Sequence, residues 1–178
     1  MFNISNRVKK MLHKIKLKRT KFKEIGKNIE IAYNFKFIYP ENITIKEHTY
    51  IGPNCTIYAH AEIFILRGTI IGPNLTIYSA NHNFSNNPTT IPYDKKLNKS
   101  KIYIGENVWI GGNVILLPKT KIGEGSIIGA GSVIAKEIPP FSIVVGNPAR
   151  IIGQRDIKKY KELKEADLIY MKEKNAKI

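Results

Sequence analysis

Acidic residues are scarce in this chain. Against 29 Lys and Arg stand only 14 Asp and Glu, a formal charge of +15 over 178 residues. Cysteine is scarcer still: one residue, Cys55, excludes an intramolecular disulfide framework and fits a reducing compartment. No run approaches the roughly 18 apolar residues that a membrane-spanning helix needs. The first segment has neither the continuous apolar stretch nor the small-residue cleavage site of a secretory signal, so a cytoplasmic location is expected. The four histidines (His13, His48, His60, His82) include no closely spaced pair. At 43% hydrophobic residues the chain is too apolar to be disordered, and its length suits one domain with short appendages.

Part of the positive charge is local. Arg7, Lys9, Lys10, Lys14, Lys16, Lys18, Arg19, Lys21 and Lys23 follow one another with no acid among them. Val8, Met11, Leu12 and Ile15 fall at helical spacing inside that run. Residues 1–24 therefore form either a solvated basic arm or an amphipathic helix, and residues 1–23 suit an anionic membrane surface, which places the protein peripherally at the inner face of a membrane. Nucleic acid is not expected as a partner, because no nucleic-acid motif accompanies the charge and aromatics are not interleaved with it.

A six-residue period decides the architecture. From Ile104 the sequence reads IGENVW, IGGNVI, LLPKTK, IGEGSI, IGAGSV, IAKEIP. Aliphatic residues hold the first position throughout, Gly recurs at the second, and small or β-branched residues fill most of the fifth. The same pattern runs from Ile45 (IKEHTY, IGPNCT, IYAHAE), slips by two residues, and resumes at Ile65 (ILRGTI, IGPNLT, IYSANH), with a weaker start at Ile25. Each six reads as a short strand with an inward aliphatic and a turn built from Gly, Asn or Pro. Three sixes close a triangular coil of eighteen residues, and coils stack by parallel pairing. A helix is excluded, since Gly and Pro at this density cost about 1 and 3 kcal/mol each in helix interiors. The fold class is all-β: a parallel β-helix over residues 25–153, interrupted by a loop at 83–101. A C-terminal helix lies within 154–178, with Asp156–Lys172 as its body, covering an open solenoid end or reaching a neighbouring subunit.

Hexapeptide repeats of this kind resemble the left-handed β-helix acyltransferases. IGPNLTIYSANHNF, then an irregular stretch, then IGENVWIGGNVILLP is similar to the maltose, galactoside and nodulation-factor O-acetyltransferase branch, and IGAGSVIAKEIPPFSIVVGNPARII is similar to its solenoid end. The likeness covers about residues 45–153. The basic arm replaces the N-terminal helical segment of the free-sugar enzymes, and the chain looks most like surface-polysaccharide O-acetyltransferases.

The resemblance implies transfer of acetyl from acetyl-CoA, a co-substrate, to a sugar or glycan hydroxyl, with no metal required. A hydroxyl needs a base to take its proton as it attacks, and histidine is suited to that near neutral pH. The resemblance assigns this role to His82, where the chain leaves the solenoid. It also implies backbone contacts to coenzyme A at Gly111, Gly112, Gly129 and Ala130, with the Gly112 N–H as oxyanion donor. Lys136 and Arg150 match positions near the coenzyme phosphates. Trp109, His60 and Asn81 are assigned to the acceptor or thioester pocket; for His60 a surface turn is the other reading, and for Trp109 solenoid packing. Homotrimers with inter-subunit active sites are implied as well. An N-acetyltransferase acting on an amino sugar or nucleotide-amino-sugar is the nearest alternative. A zinc carbonic anhydrase on the same solenoid lacks its close histidine pair here.

Overall fold

A computed structural model describes residues 6–176; residues 1–5 of the basic arm and 177–178 of the tail lie outside the described residues. The chain winds into a left-handed parallel β-helix with three flat faces. The first face stacks Glu24–Ile25, Ile43–Ile45, Ile63–Ile65, Ile102–Ile104, Lys121–Ile122 and Glu137–Ile138. On the second lie Glu30–Ile31, Tyr50–Ile51, Ile70–Ile71, Trp109–Ile110, Ile127–Ile128 and Ser142–Val145, and on the third Lys36–Ile38, Thr56–Tyr58, Thr76–Tyr78, Ile115–Leu116 and Val133–Ile134.

First-position aliphatics form columns down the axis. Ile31, Ile51, Ile71, Ile110, Ile128 and Val144 make one such column, and Ile45, Ile65, Ile104, Ile122 and Ile138 another, all buried. Each fully buried side chain of this size contributes about 1.5–3 kcal/mol, as an upper estimate. Fifth-position residues face the corners from inside, where the hydroxyls of Thr69, Ser126 and Ser132 donate to corner carbonyls. Cys55 occupies this position with no exposure, and burial pushes its thiol up to about 11. It is a packing residue without thiolate character.

The eighteen-residue coil holds for only part of the chain. Ile25, Ile45 and Ile65 stand in register at steps of 20 residues, Ile65 and Ile104 at 39, Ile104 and Ile122 at 18, and Ile122 and Ile138 at 16. The two-residue slip is thus a recurring feature of the corner between the third and first faces, present in the upper coils and expanded there into the long insertion.

Turn chemistry is divided between two hexad positions. Positive φ falls at the fourth, at Asn54, Asn74, Asn107 and Asn113, at Gly68, Gly125 and Gly131, and at His48 and Lys119. The second-position glycines do a different job: a Cβ on Gly52 would stand 2.7 Å from the Gly72 carbonyl carbon, and one on Gly105 would stand 2.7 Å from the Glu124 nitrogen. Close stacking of coils requires the bare backbone there.

Both termini depart from the plain solenoid. α1 (Asn6–Arg19) lies against the first coil, with Leu17 packed on the core. At the far end Arg150–Gln154 turns back antiparallel on Ser142–Val145. The C-terminal stretch, expected as one helix, is two: α2 (Ile157–Glu165), capped by Asp156, and α3 (Tyr170–Ala176). They run lengthwise along the edge between the first and second faces instead of closing an end, because the solenoid offers them partners coil after coil. Tyr160 packs on Phe141 and donates to Glu124 at 2.8 Å. Lys164 bridges the stacked carboxylates Glu106 and Glu124 at 2.9 and 2.6 Å. Asp167 joins Arg67 and Lys172, and Lys174 reaches Glu30 at 2.7 Å. Among the described residues no helix is long and apolar enough to cross a membrane.

Gly52→Ala is expected to lower stability by about 1–3 kcal/mol through overpacking, whereas Asn54→Gly, two residues on, changes it by less than about 0.5 kcal/mol; thermal melting of the two variants checks this division. Lys172 and Arg67 hold the Asp167 carboxyl down at about 2, and Lys101 and Lys23 do the same for Glu62. Their folded-state values lie below the unfolded ones, so their contribution is present above about pH 4 and is lost as pH falls toward 2. Melting temperature should drop across that window, and Asp167→Asn should flatten part of the drop.

Candidate active site

The corner between the third and first faces is where the chain builds something other than solenoid. In the third coil, Ser79 is fully buried, donates to the Tyr58 carbonyl at 3.0 Å and accepts from the Ala61 N–H at 2.8 Å. That anchor fixes the point of departure. Ala80–His82 then pairs antiparallel with Leu97–Lys99, His82 opposite Leu97, so the insertion leaves on a two-stranded ribbon and only its distal part is irregular.

The distal part is held by one buried pair. Asn83 donates to Asp94 at 2.8 Å and to the Asn86 carbonyl at 3.1 Å, while Asp94 accepts from the N–H groups of Lys96 and Thr89. These bonds, the one from Asn83 first, hold the Asp94 carboxyl below the usual carboxylate range. The loop is thereby folded back, and it brings Tyr93 over the His82 ring, with centroids 3.9 Å apart and planes 17° from parallel. Asn81 accepts from the His82 N–H through its side-chain oxygen at 3.0 Å. Stacking on one face leaves the ring nitrogens at the ring edge, and the residue as a whole is exposed.

His82 looks into a cleft of about 850 Å³ between the ribbon and the solenoid. Tyr58 and Tyr78, one coil apart, line its wall and stack on each other, centroids 5.1 Å apart and planes 11° from parallel. His60 lies on the same wall with its ring 4.9 Å from Tyr39. Lys119 borders the floor in a left-handed conformation, φ 74°, that a Lys adopts only when the surroundings hold it there.

The other expected site residues lie elsewhere on the prism. Gly111 and Gly112 stand in register with Gly129 and Ala130 at the corner between the second and third faces. Gly111 is required by packing, since a Cβ there would lie 2.7 Å from the Ala130 nitrogen. At Gly112 the nearest atom to such a Cβ is 3.3 Å away, on Pro73, and among the described residues its N–H meets no acceptor. The third hexad position is Pro53 and Pro73 in the upper coils and becomes Gly112 and Ala130 below, which opens that strip of backbone. Trp109, 54% exposed, is on the second face beside a smaller hollow of about 220 Å³ under α2 and α3. Lys136 is exposed in the last coil, next to Ala135 on the cleft rim, and Arg150 is exposed opposite Val145. One chain therefore gathers His82, Asn81 and His60 around a single cleft, while the glycine strip and Trp109 occupy separate surfaces. Among the described residues no three His, Cys, Asp or Glu side chains converge as a metal site would require.

Tyr58, Tyr78, Phe84, Tyr93 and Lys119 are cleft residues or supports that sequence reasoning missed. Tyr58 and Tyr78 carried a signal, the same hexad position in coils 20 residues apart; Tyr93, deep in an irregular segment, carried none.

The family pattern for bacterial transferase hexapeptide (six repeats) matches residues 101–136. A galactoside O-acetyltransferase of Lactococcus lactis is 36% identical over 158 residues, covering 86% of this chain and 75% of that one. The chain belongs to the bacterial hexapeptide-repeat acetyltransferase family. It spans 66% of the length of the curated Staphylococcus aureus relatives it matches. A hexapeptide-repeat acetyltransferase of Vibrio cholerae, solved in complex with acetyl coenzyme A, superposes with a TM-score of 0.71 at 29% identity over 81% of this chain and 77% of that one. AntD, an N-acyltransferase of Bacillus cereus solved with dTDP and 3-hydroxybutyryl-CoA, gives 0.70 at 27% identity over 89% and 96%.

Asn83→Ala should free the loop without melting the solenoid. Hydrogen exchange over residues 84–96 is expected to quicken by roughly tenfold or more, with the core strands unchanged.

Proposed function

We propose that the protein transfers an acetyl group from acetyl-CoA to a hydroxyl of a sugar or surface glycan, with His82 as general base. The carrying observation is the placement of an exposed, oriented histidine on an aromatic-walled cleft in a member of this family. The acceptor occupies the cleft beside Tyr58 and Tyr78, with His60 and Asn81 at its edge. His82 takes the hydroxyl proton as the oxygen attacks the thioester carbonyl. The Gly112 N–H donates to the oxyanion that forms. Collapse breaks the carbon–sulfur bond, and the proton passes from His82 to the departing thiolate. Gly111, Gly129 and Ala130 line the approach of the pantetheine arm, Trp109 borders the thioester, and Lys136 and Arg150 meet the coenzyme phosphates.

Because the glycine strip and the His82 cleft lie on different edges of one prism, the strip of one protomer serves the cleft of a neighbour, and the working unit is a homotrimer. The names of the Lactococcus relative and of the Vibrio complex support the acetyl-CoA and sugar parts of this reading. Transfer to the nitrogen of an amino sugar or nucleotide-amino-sugar is the second reading, favoured by the near-complete overlap with AntD.

Thiol release from acetyl-CoA, followed over a panel of sugar alcohols, glycans and amino sugars, tests these statements together. Acceptor-dependent release should fall by roughly 10²-fold or more in His82→Ala. Co-expression of His82→Ala with Gly112→Trp should restore activity that neither variant has alone. Equal release by wild type and His82→Ala removes His82 from the mechanism, and a fully active monomer removes the shared site. Turnover with amino sugars alone selects nitrogen.

A further inference from the structure

α1 presents its sides in an unusual order. Toward the solenoid it turns polar groups: His13 Nε2 is 2.8 Å from the Ile31 carbonyl oxygen, and its ring lies against Tyr33 and Phe35 at 4.7 and 5.8 Å. Lys16 donates to the Phe35 carbonyl with its ammonium 4.2 Å from the Phe35 ring, and Leu17 is the main apolar contact. The spacing i, i+3, i+4, i+7 puts Val8, Met11, Leu12 and Ile15 on one stripe. That stripe points away from the protein, with exposures of 40%, 54%, 51% and 39%. An ordinary capping helix buries its apolar stripe and exposes its charges. Here the polar side is docked and the apolar one is left out.

The edges of the stripe are basic. Lys14 and Lys18 run along one side, Arg19 ends the stripe itself at i+4 from Ile15, Lys10 stands nearer the docked side, and Lys21 comes next. All five are exposed, and among the described residues none is ion-paired. The first acid in the chain is Glu24.

We propose that α1 seats the protein on an anionic lipid surface, its apolar stripe in the headgroup–acyl boundary and its lysines among lipid phosphates. This occupant uses both features at once. A second copy docking face to face through the same stripe would bring two sets of unpaired lysines together, and a nucleic acid has no use for an exposed aliphatic stripe. At 14 residues the helix is only about 20 Å long, so attachment is shallow and reversible. The strand Thr76–Tyr78, from which the His82 ribbon departs, lies two coil steps from Lys36–Ile38, about 10 Å at the strand spacing. Seated this way, the cleft opens at the height of a membrane-attached glycan headgroup; that last consequence rests on the acetyl-transfer reading, while the docking itself does not.

Sedimentation of the full chain with vesicles tests the docking. Wild type is expected to pellet with phosphatidylcholine–phosphatidylglycerol vesicles and to stay in solution with phosphatidylcholine alone. Met11→Ser/Leu12→Ser and Lys10→Glu/Lys14→Glu/Lys18→Glu should each lower the partition by roughly tenfold or more, with unchanged melting temperature. Failure to pellet with either vesicle overturns the proposal. So does binding that only the lysine variant loses and that RNA competes away, which marks a polyanion site. A serine variant with reduced oligomer mass assigns the stripe to a second copy and overturns it too. None of these readouts involves acetyl transfer, so the docking and the chemistry can fail separately.

Discussion

Every coil of this protein must sit one strand spacing from the next, and that single distance sets the terms for the rest. Parallel ladders join each strand to its equivalents above and below, so the backbone at the corners is brought nearly into contact with the backbone of the adjoining coil. A side chain cannot be inserted there, which is why glycine holds the second hexad position at Gly52, Gly72, Gly105 and Gly123. The aliphatic columns follow from the same geometry: stacked equivalents share one axis, and aliphatic side chains, mostly isoleucine, fill it from three sides.

Such a scaffold is legible because its constraints repeat. The period, the inward aliphatics and the buried Cys55 were readable from spacing; the exit, read at His82, falls three residues earlier at Ser79, because Ala80–His82 already pairs with Leu97–Lys99. The distinct duties of the second and fourth hexad positions were not, since Gly and Asn both signal turns and only coordinates separate a steric demand from a left-handed backbone. Coil length varies where the hexads slip. The hexad starts Ile25, Ile45 and Ile65 are each 20 residues apart, three sixes and a slip of two, so the longer coil was present in the frame at both places. Tyr93 and the Asn83–Asp94 pair lie outside any period, and nothing local to the sequence announces which side chains of an irregular segment fold back on its stem.

The candidate site residues are divided between edges. A triangular prism has three corners, and this chain spends them differently: one on the His82 ribbon and cleft, one on the opened backbone at Gly112 and Ala130, one on its C-terminal helices. No folding of a single chain brings the first two together. In the proposed mechanism the base and the backbone donor stand on separate edges of one rigid body, and assembly with a neighbour is what unites them.

The lengthwise path of α2 and α3 has a mechanical meaning. A solenoid whose coils touch only their immediate neighbours behaves as a chain of weakly coupled units and can fray from either end, one coil at a time. A strap that grips Phe141, Glu124, Glu106, Arg67 and Glu30 in turn adds links between units that are otherwise far apart in the stack. Losing the last coil then releases the strap from the first. Such links favour cooperative opening over stepwise fraying, with the central coils that carry the cleft opening together with the ends.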